Sequence, residues 1–497
     1  MKDKKFLASI AIFLAALIIG QLGLHNRTLW YDEAISILEA HFGPHGILQA
    51  VKDEGIPPLY NVILSLWQKI SDSELWAREL SVIFGALSVL LIFLFALEFT
   101  TFYKAIAISI IFALFPFHLW HAQEIRMYAL VEFFAMASFF SLYRYLEGGK
   151  KIKLVLYTIF SIPIFWLHYI AGLAFLAQVI FLAINIKRYK TKALGFLAAL
   201  ALISIAYIPW LPTFFQHLLL RTKFFWTEPL TLSQLWATLG LFAGALKTAS
   251  PLNRLTPWAF SILFLLATTL LFYLKRRDLA LMLWLWFVIP FVSLTLVSLK
   301  QNILLDRTIL YLLPAFLLLS FWALEEVEKL GLKYAFATGL VILALLSATS
   351  TRTYLFNDNW WAKSSTRKLA KMVAQFYKDG DLVVHTSRFS ARPFQYYLKD
   401  KNIQMCLIKE TEDLPKLFEL IGRLDCPNAN ESIKRIWLVG YADFQNPNYH
   451  NRALEWYAKN HDLLEVSYFD GYFVTGLFAR KVAGPIVPPL DLWAGAN

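Results

Sequence analysis

Long apolar segments separated by short polar ones occupy the first 350 residues of the chain. About 20 consecutive apolar residues form a helix long enough to cross a hydrocarbon core about 30 Å thick. The pattern therefore predicts a polytopic α-helical membrane protein with about eleven transmembrane helices. The two predicted spans around His168 are nearly continuous, which leaves open that one of them is re-entrant. The predicted spans are residues 6–24, 80–99, 105–120, 127–146, 154–167, 169–186, 193–212, 258–274, 279–299, 308–324 and 334–350.

Two long connections interrupt this series of spans. The first, residues 25–78, contains amphipathic stretches at 34–51 and 57–70, of which the second has too few apolar positions to span a bilayer. Such stretches favour helices that lie in the membrane interface. The second connection, residues 213–257, contains a further stretch of this kind at 233–246.

The remainder of the chain has the pattern of a small α/β domain. The sequence thus predicts a membrane domain over residues 1–350 and a soluble extracytoplasmic domain over residues 351–497. The elements predicted in the second domain are a helix at 366–377 followed by Gly380, buried strands at 381–385 and 435–439, and a hairpin at 464–479.

The composition agrees with a membrane protein and explains the net charge. Hydrophobic residues make up 58% of the chain and charged residues only 16%, whereas typical globular chains carry about 25% charged residues. This excludes a cytosolic enzyme and a disordered chain. Residues 1–350 hold 28 Lys and Arg against 19 Asp and Glu, so most of the net charge of +12 lies in the hydrophobic part. The excess therefore indicates membrane topology, and we expect no nucleic-acid partner.

The positions of the basic clusters predict the orientation, because cytoplasmic loops carry an excess of Lys and Arg. A cytoplasmic N-terminus places every cluster inside, and an odd number of spans then places residues 351–497 outside. We expect the chain in the plasma (cell inner) membrane, with its first span uncleaved because residues 21–25 lack a small-x-small cleavage pattern. The clusters lie at residues 2–5, 150–153, 187–192, 275–277 and 329–333.

With this topology, a few ionisable residues gather near the outer membrane surface. A charge within a span costs roughly 2.5 to 3.5 kcal/mol at the membrane centre unless it reaches water or a partner. Glu124 and Arg126 lie between two apolar runs, so we expect each of them to reach water or a partner. Each site also has an ordinary explanation as a solvated loop, an interfacial ion pair or a hydrogen-bonded interfacial histidine. The candidates are Asp32, Glu33, Glu124, Arg126, His168, Asp306 and Arg307.

Four short segments near these residues occur in a characteristic order. They are residues 29–34 (LWYDEA), 56–60 (IPPLY), 78–85 (RELSVIFG) and 122–130 (AQEIRMYAL). Together they resemble the signature of the C-type (GT-C) polytopic membrane glycosyltransferases, in the branch of the protein O-mannosyltransferases and the aminoarabinose (lipid A) transferases. The resemblance covers about the first 350 residues, and the tail is similar to the soluble domains of bacterial and archaeal members. One departure is Ile56, at a position that is often histidine in related sequences.

This resemblance implies a GT-C fold and an inverting transfer of a sugar from a polyprenyl-phosphate donor on the extracytoplasmic face. The acceptor is left open between a lipid, a glycan and a protein. A carboxylate must take the proton of an attacking acceptor hydroxyl. Arginines or a divalent metal cation must meet the charge that develops on the leaving lipid phosphate.

The resemblance also implies roles for the candidate residues. Asp32 is the general base, and Glu33 is the neighbour that orients it. An acceptor that is already a phosphate anion needs no base, and Asp32 would then orient it. The other assignments are Glu124 as a second acidic residue that contacts acceptor, sugar or metal, Arg126 and Arg307 for the donor phosphate, and His168 and Glu54 as further candidates for donor or metal contact.

Cys406 and Cys426 are the only cysteines, and both lie in the predicted outer domain. In an oxidising compartment they are candidates for a disulfide. Their 20-residue separation would give a stabilisation of roughly 3 kcal/mol in the entropic account of such bonds. Two free buried thiols are the alternative.

A polytopic transporter or lipid flippase is the competing class of function. Such proteins place ionisable residues near the middle of the membrane on broken helices and often contain an inverted repeat. Here most predicted spans lack charges in their interiors, and no repeat is visible. A noncatalytic scaffold with a receptor-like outer domain is a third interpretation. Time-dependent transfer of a labelled sugar would separate the enzyme from both.

Overall fold

The structure is a computed structural model that describes residues 2–221, 227, 229–246, 251–274, 278–356, 366–385, 387–407, 434–441, 461–469 and 473–480. The chain divides into two compact units. The first comprises Met1–His25 with Glu39–Asn357, and the second comprises Asn26–Leu38 with Asp358–Asn497. A short segment of the first long connection thus groups with the C-terminal residues. The domain boundary at residue 350 stays a prediction.

Helices build the first unit. Helix α2 begins in the short segment that groups with the second unit. In chain order the helices are α1 Lys2–Gly20, α2 Tyr31–Ala40, α3 Gly43–Glu54, α4 Leu59–Trp67, α5 Glu74–Ala96, α6 Phe102–Ala113, α7 Pro116–Ala122, α8 Tyr128–Gly148, α9 Lys151–Leu167, α10 Leu173–Ile184, α11 Ile186–Tyr207, α12 Leu211–Arg221, α13 Leu232–Leu241, α14 Thr256–Tyr273, α15 Asp278–Ser298, α16 Asp306–Ile309, α17 Leu313–Lys329 and α18 Ala335–Phe356.

Eight helices of the described chain are at least 18 residues long and apolar enough to cross a membrane. Helices α6 and α7 give a ninth span if they are taken together across a bend of 62°. The two remaining predicted spans correspond to the 17-residue α9 and to the shorter apolar segment Tyr169–Ile184. The prediction of a polytopic helical membrane protein is confirmed, and the count of eleven is approximate. The eight spans are Asp3–Asn26, Glu74–Ala96, Tyr128–Gly148, Ile186–Leu218, Leu252–Tyr273, Asp278–Ser298, Asp306–Lys329 and Ala335–Phe356.

Helix α17 forms the interior of the first unit. An apolar stretch of 18 residues within the span Asp306–Lys329 is completely buried, whereas only 22% of the corresponding stretch in the first span is buried. A helix that is hydrophobic on all sides belongs inside a bundle of other helices. Helix α17 accordingly packs against α14, α15 and α18.

The first long connection, residues 25–78, contains the α-helices α2, α3 and α4. The structure divides the amphipathic stretch 34–51 between α2 and α3. Gly43, the first residue of α3, has a φ of +72°, a left-handed conformation that prevents one continuous right-handed helix through this position. Pro44 then occupies the first turn of α3, where its missing N–H is not needed. The stretch predicted at 57–70 is α4.

Polar and apolar contacts hold the end of α2, from Glu39 onward, and helices α3 and α4 within the first unit. The carboxylate of Glu39 accepts a buried hydrogen bond of 2.7 Å from the side-chain amide of Asn61, which joins the end of α2 to α4. The apolar residues of α3 pack against Tyr207 and Trp210 at the end of α11. In the second long connection, the predicted interfacial helix is α13, which begins with Thr231 in a capping box.

The second unit contains a mixed five-stranded sheet with the strand order β2-β1-β3-β5-β4. Strand β1 is parallel to β2 and β3, whereas β5 is antiparallel to β3 and β4. The predicted helix, strands and hairpin all correspond to observed elements. The elements are α19 Thr366–Phe376, β1 Asp381–His385, α20 Arg388–Tyr397, β2 Met405–Leu407, β3 Arg435–Tyr441, β4 His461–Phe469 and β5 Phe473–Arg480.

A buried carboxylate organises the core of this unit. Asp381, at the start of β1, accepts hydrogen bonds from the guanidinium of Arg435 at 2.7 and 2.5 Å and from the indole of Trp437 at 3.0 Å. Its carboxylate also accepts the backbone N–H of Lys378. A buried charge needs several such donors to offset its desolvation, so this pairing ties β1 to β3.

The predicted disulfide falls partly outside the described residues. Cys406, in β2, is disulfide-bonded. Cys426 lies outside the described residues. The pairing of these two cysteines stays a proposal, which alkylation of both thiols without prior reduction would contradict.

We expect the second unit to lose stability in mild acid because of His385. Burial lowers the pKa of this imidazole to about 3, and its Nδ1 lies 3.0 Å from the hydroxyl of Ser390. The folded state therefore keeps it neutral, while the unfolded chain binds a proton below its ordinary value of 6.5. The neutral His385 therefore contributes its full stabilisation above pH 6.5. Below pH 6.5 the free energy of unfolding of the second unit falls by about 1.4 kcal/mol per pH unit.

The measurement is urea-dependent pulse proteolysis of the full-length protein at pH 7 and pH 5. The matched variant is His385→Gln, which stays neutral at both values. We expect its loss of stability between the two pH values to be about 2 kcal/mol smaller than that of the wild type. An identical pH dependence of the two proteins would contradict the prediction.

Candidate active site

The predicted site residues are divided between the two units. Asp32 and Glu33 belong to the second unit, in the segment Asn26–Leu38. Four others belong to the first unit. The side chain of Glu54 lies outside the described part of the chain, although its backbone ends α3. The four residues of the first unit are Glu124, Arg126, His168 and Arg307.

Glu124 follows the short helix α7 and forms a buried pair with a histidine that the sequence did not single out. The Nδ1 of His121 lies 2.8 Å from Oε2 of Glu124, and the two side chains are 1% and 4% exposed. A carboxylate in this position accepts the Nδ1 proton and thereby fixes the histidine tautomer. The Nε2 of His121 is buried and has no hydrogen-bond partner among the described residues.

Aromatic rings surround this pair. The imidazole of His121 stacks on Trp120 with ring centroids 4.5 Å apart. On another side the ring of Tyr128 lies 5.4 Å from it. A carboxylate and an imidazole among such rings are shielded from water, and electrostatic interactions are stronger in that environment.

One face of α5 holds the segment that carries Glu124. The guanidinium of Arg78 donates to the carbonyl of Gln123 at 2.8 Å, and the hydroxyl of Ser81 donates to the carbonyl of Arg126 at 3.4 Å. A Cβ atom on Gly85 would lie 2.6 Å from the Cβ of Ala122, so only glycine allows this approach. Positions 78, 81 and 85 share one helix face. The third signature segment therefore positions the fourth.

The side chain of Gln123 connects the same segment to α1 and α18. Its amide nitrogen donates to the carbonyls of Gly20 at 2.7 Å and Leu22 at 2.9 Å. Its amide oxygen accepts from the hydroxyl of Tyr354 at 2.7 Å. A buried side chain with these partners fixes the end of the first span relative to Glu124.

Replacing Arg78 by methionine is expected to destabilise the first unit by about 1 to 3 kcal/mol, because the carbonyl of Gln123 loses a donor in a buried position. The measurement is the thermal unfolding midpoint of the purified protein in detergent. The matched control is Arg144→Met, since the ion pair of Arg144 with Glu98 is partly exposed, with side-chain exposures of 46% and 21%. Its expected loss is below about 1 kcal/mol. Equal losses would contradict the assigned role of Arg78.

The structure brings the segments of Glu124, His168 and Arg307 together within the first unit. The ring of Tyr128 lies 6.3 Å from that of His168, which follows α9 and accepts the N–H of Ile170 on its Nδ1. The hydroxyl of Tyr311 donates to the carbonyl of Ile170 at 3.4 Å. Since Tyr311 lies two residues after the end of the short helix α16, which contains half-buried Arg307, these three segments meet here.

A second buried histidine–carboxylate pair lies near the first. The Nδ1 of His118 is 2.7 Å from Oε2 of Glu132, with side-chain exposures of 3% and 0%. The Oε1 of Glu132 has no hydrogen-bond partner among the described residues. The sequence carried a signal for this pair, because an acidic residue inside a predicted span is costly.

In the second unit, Asp32 and Glu33 lie in the first turn of α2. The carboxylate of Glu33 accepts the backbone N–H of Trp30 at 3.4 Å, which is half of a capping box. The hydroxyl of Ser36 donates to the backbone carbonyl of Asp32 at 2.9 Å. Acidic groups here also interact favourably with the positive end of the helix dipole. Glu33 is buried and Asp32 half-buried.

The described histidine, cysteine and acidic side chains do not form a metal-binding group of three or more members. The pair of His121 and Glu124 supplies two potential ligands with a mutual hydrogen bond. Structural zinc sites use four protein ligands and catalytic zinc sites three. The described residues therefore contain no complete zinc site.

Comparison with solved structures reveals the fold. ArnT from Cupriavidus metallidurans in the apo state aligns with 96% of this chain and 98% of its own, with a TM-score of 0.60 and 12% identity. The same protein bound to undecaprenyl phosphate gives the same TM-score. The chain has a GT-C fold. The predicted fold class is thereby confirmed.

A second protein with this GT-C fold is the Archaeoglobus fulgidus oligosaccharyltransferase. Its apo form has a TM-score of 0.52 and 10% identity, with 89% of this chain and 70% of that chain covered. The same protein has been crystallised with Zn and sulfate. No protein-family model and no curated protein matches the sequence. Identities of 10 to 12% establish the fold alone.

Proposed function

We propose that this protein is an integral-membrane glycosyltransferase that moves a sugar from a polyprenyl-phosphate donor to an acceptor on the extracytoplasmic face. The observation that carries the proposal is the buried pair of His121 and Glu124, fixed by α1, α5 and α18 in a chain with a GT-C fold. The ordered signature segments support it, as does the undecaprenyl phosphate bound to ArnT from C. metallidurans. The acceptor is a lipid, a glycan or a protein.

In the proposed reaction the oxygen of an acceptor hydroxyl attacks the anomeric carbon from the face opposite the phosphate. The new bond joins that oxygen to the anomeric carbon, and the bond between the anomeric carbon and the phosphate oxygen breaks. The carboxylate of Asp32 takes the hydroxyl proton as general base. The configuration inverts because this is a single displacement, and the transition state has oxocarbenium character.

The leaving group is a lipid phosphate, which gains negative charge as its bond to the sugar breaks. Arg126 and Arg307 are the proposed partners of that phosphate, because guanidinium groups form strong paired hydrogen bonds to phosphate oxygens. Glu124 contacts the acceptor or the sugar, with its carboxylate oriented by His121. We assign no step to a divalent cation. His168 and Glu54 remain proposed donor contacts.

A lipid-linked donor also explains the helices in the first outer loop. Its phosphate lies at the membrane surface while its tail stays in hydrocarbon, so the donor must enter laterally between spans. Helix α3 packs its apolar residues against Tyr207 and Trp210 and is proposed to border that entrance. The proposed orientation has a cytoplasmic N-terminus in the plasma membrane, with the site and residues 351–497 outside.

The experiment incubates the purified protein in lipid nanodiscs with a panel of polyprenyl-phosphate sugars carrying a labelled sugar. Candidate lipid, glycan and peptide acceptors are added together. We expect time-dependent appearance of a product whose mass increases by one sugar, with release of polyprenyl phosphate. Movement of a solute or a lipid across vesicles, without any transfer over the whole panel, would instead favour a transporter or flippase.

A further inference from the structure

We propose that helices α19 and α20 of the C-terminal region hold the Asp32 segment in its working position, with Tyr397 and Arg388 as positioning residues. This proposal rests on the proposed function, since it concerns the orientation of the general base. All contacts that support it lie within the second unit, which joins Asn26–Leu38 to the C-terminal residues.

The first contact fixes the backbone three residues before Asp32. The N–H of Leu29 donates to the phenolic oxygen of Tyr397 at 2.8 Å. Leu29 is completely buried, so water cannot replace this acceptor if the hydroxyl is removed. A buried amide without a partner is costly, and the bond therefore favours one position of the backbone at Leu29.

The second contact fixes the residue directly before Asp32. The ring of Tyr31 packs against that of Phe389, with centroids 4.6 Å apart. The guanidinium of Arg388 lies 5.5 Å from the centroid of the Tyr31 ring, within the range of a cation–π interaction. Arg388 is exposed, so its replacement leaves the domain core intact.

The third contact fixes the beginning of the segment. The guanidinium of Arg367, in α19, donates to the backbone carbonyl of Arg27 and lies 5.9 Å from the ring centroid of Tyr397. Residues 27, 29 and 31 are thus all held by the C-terminal helices. Contacts at three alternate positions define both the place and the direction of the backbone that enters α2, and Asp32 is the second residue of that helix.

The consequence is that the C-terminal region acts on the chemical step. A segment without these contacts samples more conformations, and a general base must lie within hydrogen-bond reach of its proton. Loss of the contacts should therefore lower kcat and leave the KM for the donor nearly unchanged. A domain that only docked an acceptor would instead change the KM for that acceptor.

The experiment compares two pairs of variants of the full-length protein. Tyr397→Phe removes the hydroxyl that binds Leu29, and its control Tyr377→Phe removes a hydroxyl that bonds to the backbone of Asp381 and Gln404. Arg388→Met removes the cation over Tyr31, and its control Arg392→Met removes a guanidinium on the same helix that bonds to Gln395. Arg388→Lys keeps the cation and should restore activity.

We expect Tyr397→Phe and Arg388→Met to lower kcat by about three- to tenfold, the size of one lost hydrogen bond or cation–π contact. Hydrogen–deuterium exchange of the peptide containing Leu29 should become faster in both, and neither control should change it. Combining Tyr397→Phe with Asp32→Asn should lower kcat no further than Asp32→Asn alone, because residues acting through one group are not additive.

Unchanged exchange at Leu29 in both Tyr397→Phe and Arg388→Met would overturn the inference. If Tyr397→Phe does not fold, the exchange at Leu29 in Arg388→Met alone decides. A change in kcat that the Arg392→Met control reproduces would also overturn it. If the wild type transfers no sugar, the proposed function is overturned. Faster exchange at Leu29 in the two variants would still support the positioning contacts. The exchange measurement therefore separates the two.

Discussion

Replacement of Asp32 by asparagine should lower kcat by about 10²- to 10⁴-fold with a hydroxyl acceptor, the usual contribution of a positioned general base. Asparagine preserves the shape of the side chain, but it cannot take the proton of the acceptor hydroxyl when that hydroxyl attacks the anomeric carbon. Since the backbone of Asp32 is held by Ser36 and lies in the first turn of α2, the substitution should leave the fold intact. The measurement is the initial rate of labelled-sugar transfer at saturating donor.

The matched control for this prediction is Glu33→Gln. Glu33 accepts the N–H of Trp30 at the start of α2, and glutamine can keep this bond through its amide oxygen. We therefore expect Glu33→Gln to lower kcat much less than Asp32→Asn. Full activity of folded Asp32→Asn with a hydroxyl acceptor would show that another residue is the base.

The membrane architecture could be predicted from the sequence because long apolar runs have few alternatives to a spanning helix. What hydropathy could not predict was local geometry. The division of 34–51 into α2 and α3 depends on Gly43 at φ +72°, and a glycine in an amphipathic stretch is equally compatible with a continuous helix. The bend of 62° between α6 and α7 likewise depends on how the end of the span packs.

The site was predictable only where a charge stood out against an apolar background. Glu124 gave such a signal. Its partner His121 did not, because a histidine beside Trp120 resembles the ordinary aromatic belt at a membrane interface. Arg78 did not either, since a charge before a span is usually solvated. Only the packing of α5 against the end of α7 turns it into a donor to Gln123.

The grouping of residues 26–38 with the C-terminal residues could not be predicted from one sequence. Its clearest bond, from Leu29 to Tyr397, joins residues 368 positions apart. Neither hydropathy nor local propensity carries information over such a distance. No motif in the sequence predicts a role for the tail, and the contacts at residues 27, 29 and 31 give a testable one.

Replacement of Glu124 by glutamine should lower kcat by about 10²-fold, because the carboxylate is the charged partner of His121 and the proposed contact to acceptor or sugar. Hydrogen bonds with an ionised partner are worth about 1.5 to 3 kcal/mol, and an interaction that strengthens in the transition state affects kcat rather than KM. The substitution changes one oxygen of a buried side chain to nitrogen, so volume is preserved. Transfer rates and the thermal unfolding midpoint are measured on the same preparation.

The chain supplies its own control for this experiment in Glu132→Gln. Glu132 pairs with His118 at 2.7 Å, much as Glu124 pairs with His121 at 2.8 Å, and all four side chains are buried. The two substitutions thus remove the same charge from the same kind of pair, and we expect similar decreases in unfolding midpoint. A large loss of kcat in Glu132→Gln and a small one in Glu124→Gln would show that the acidic residue of the site is Glu132 in α8 and not Glu124.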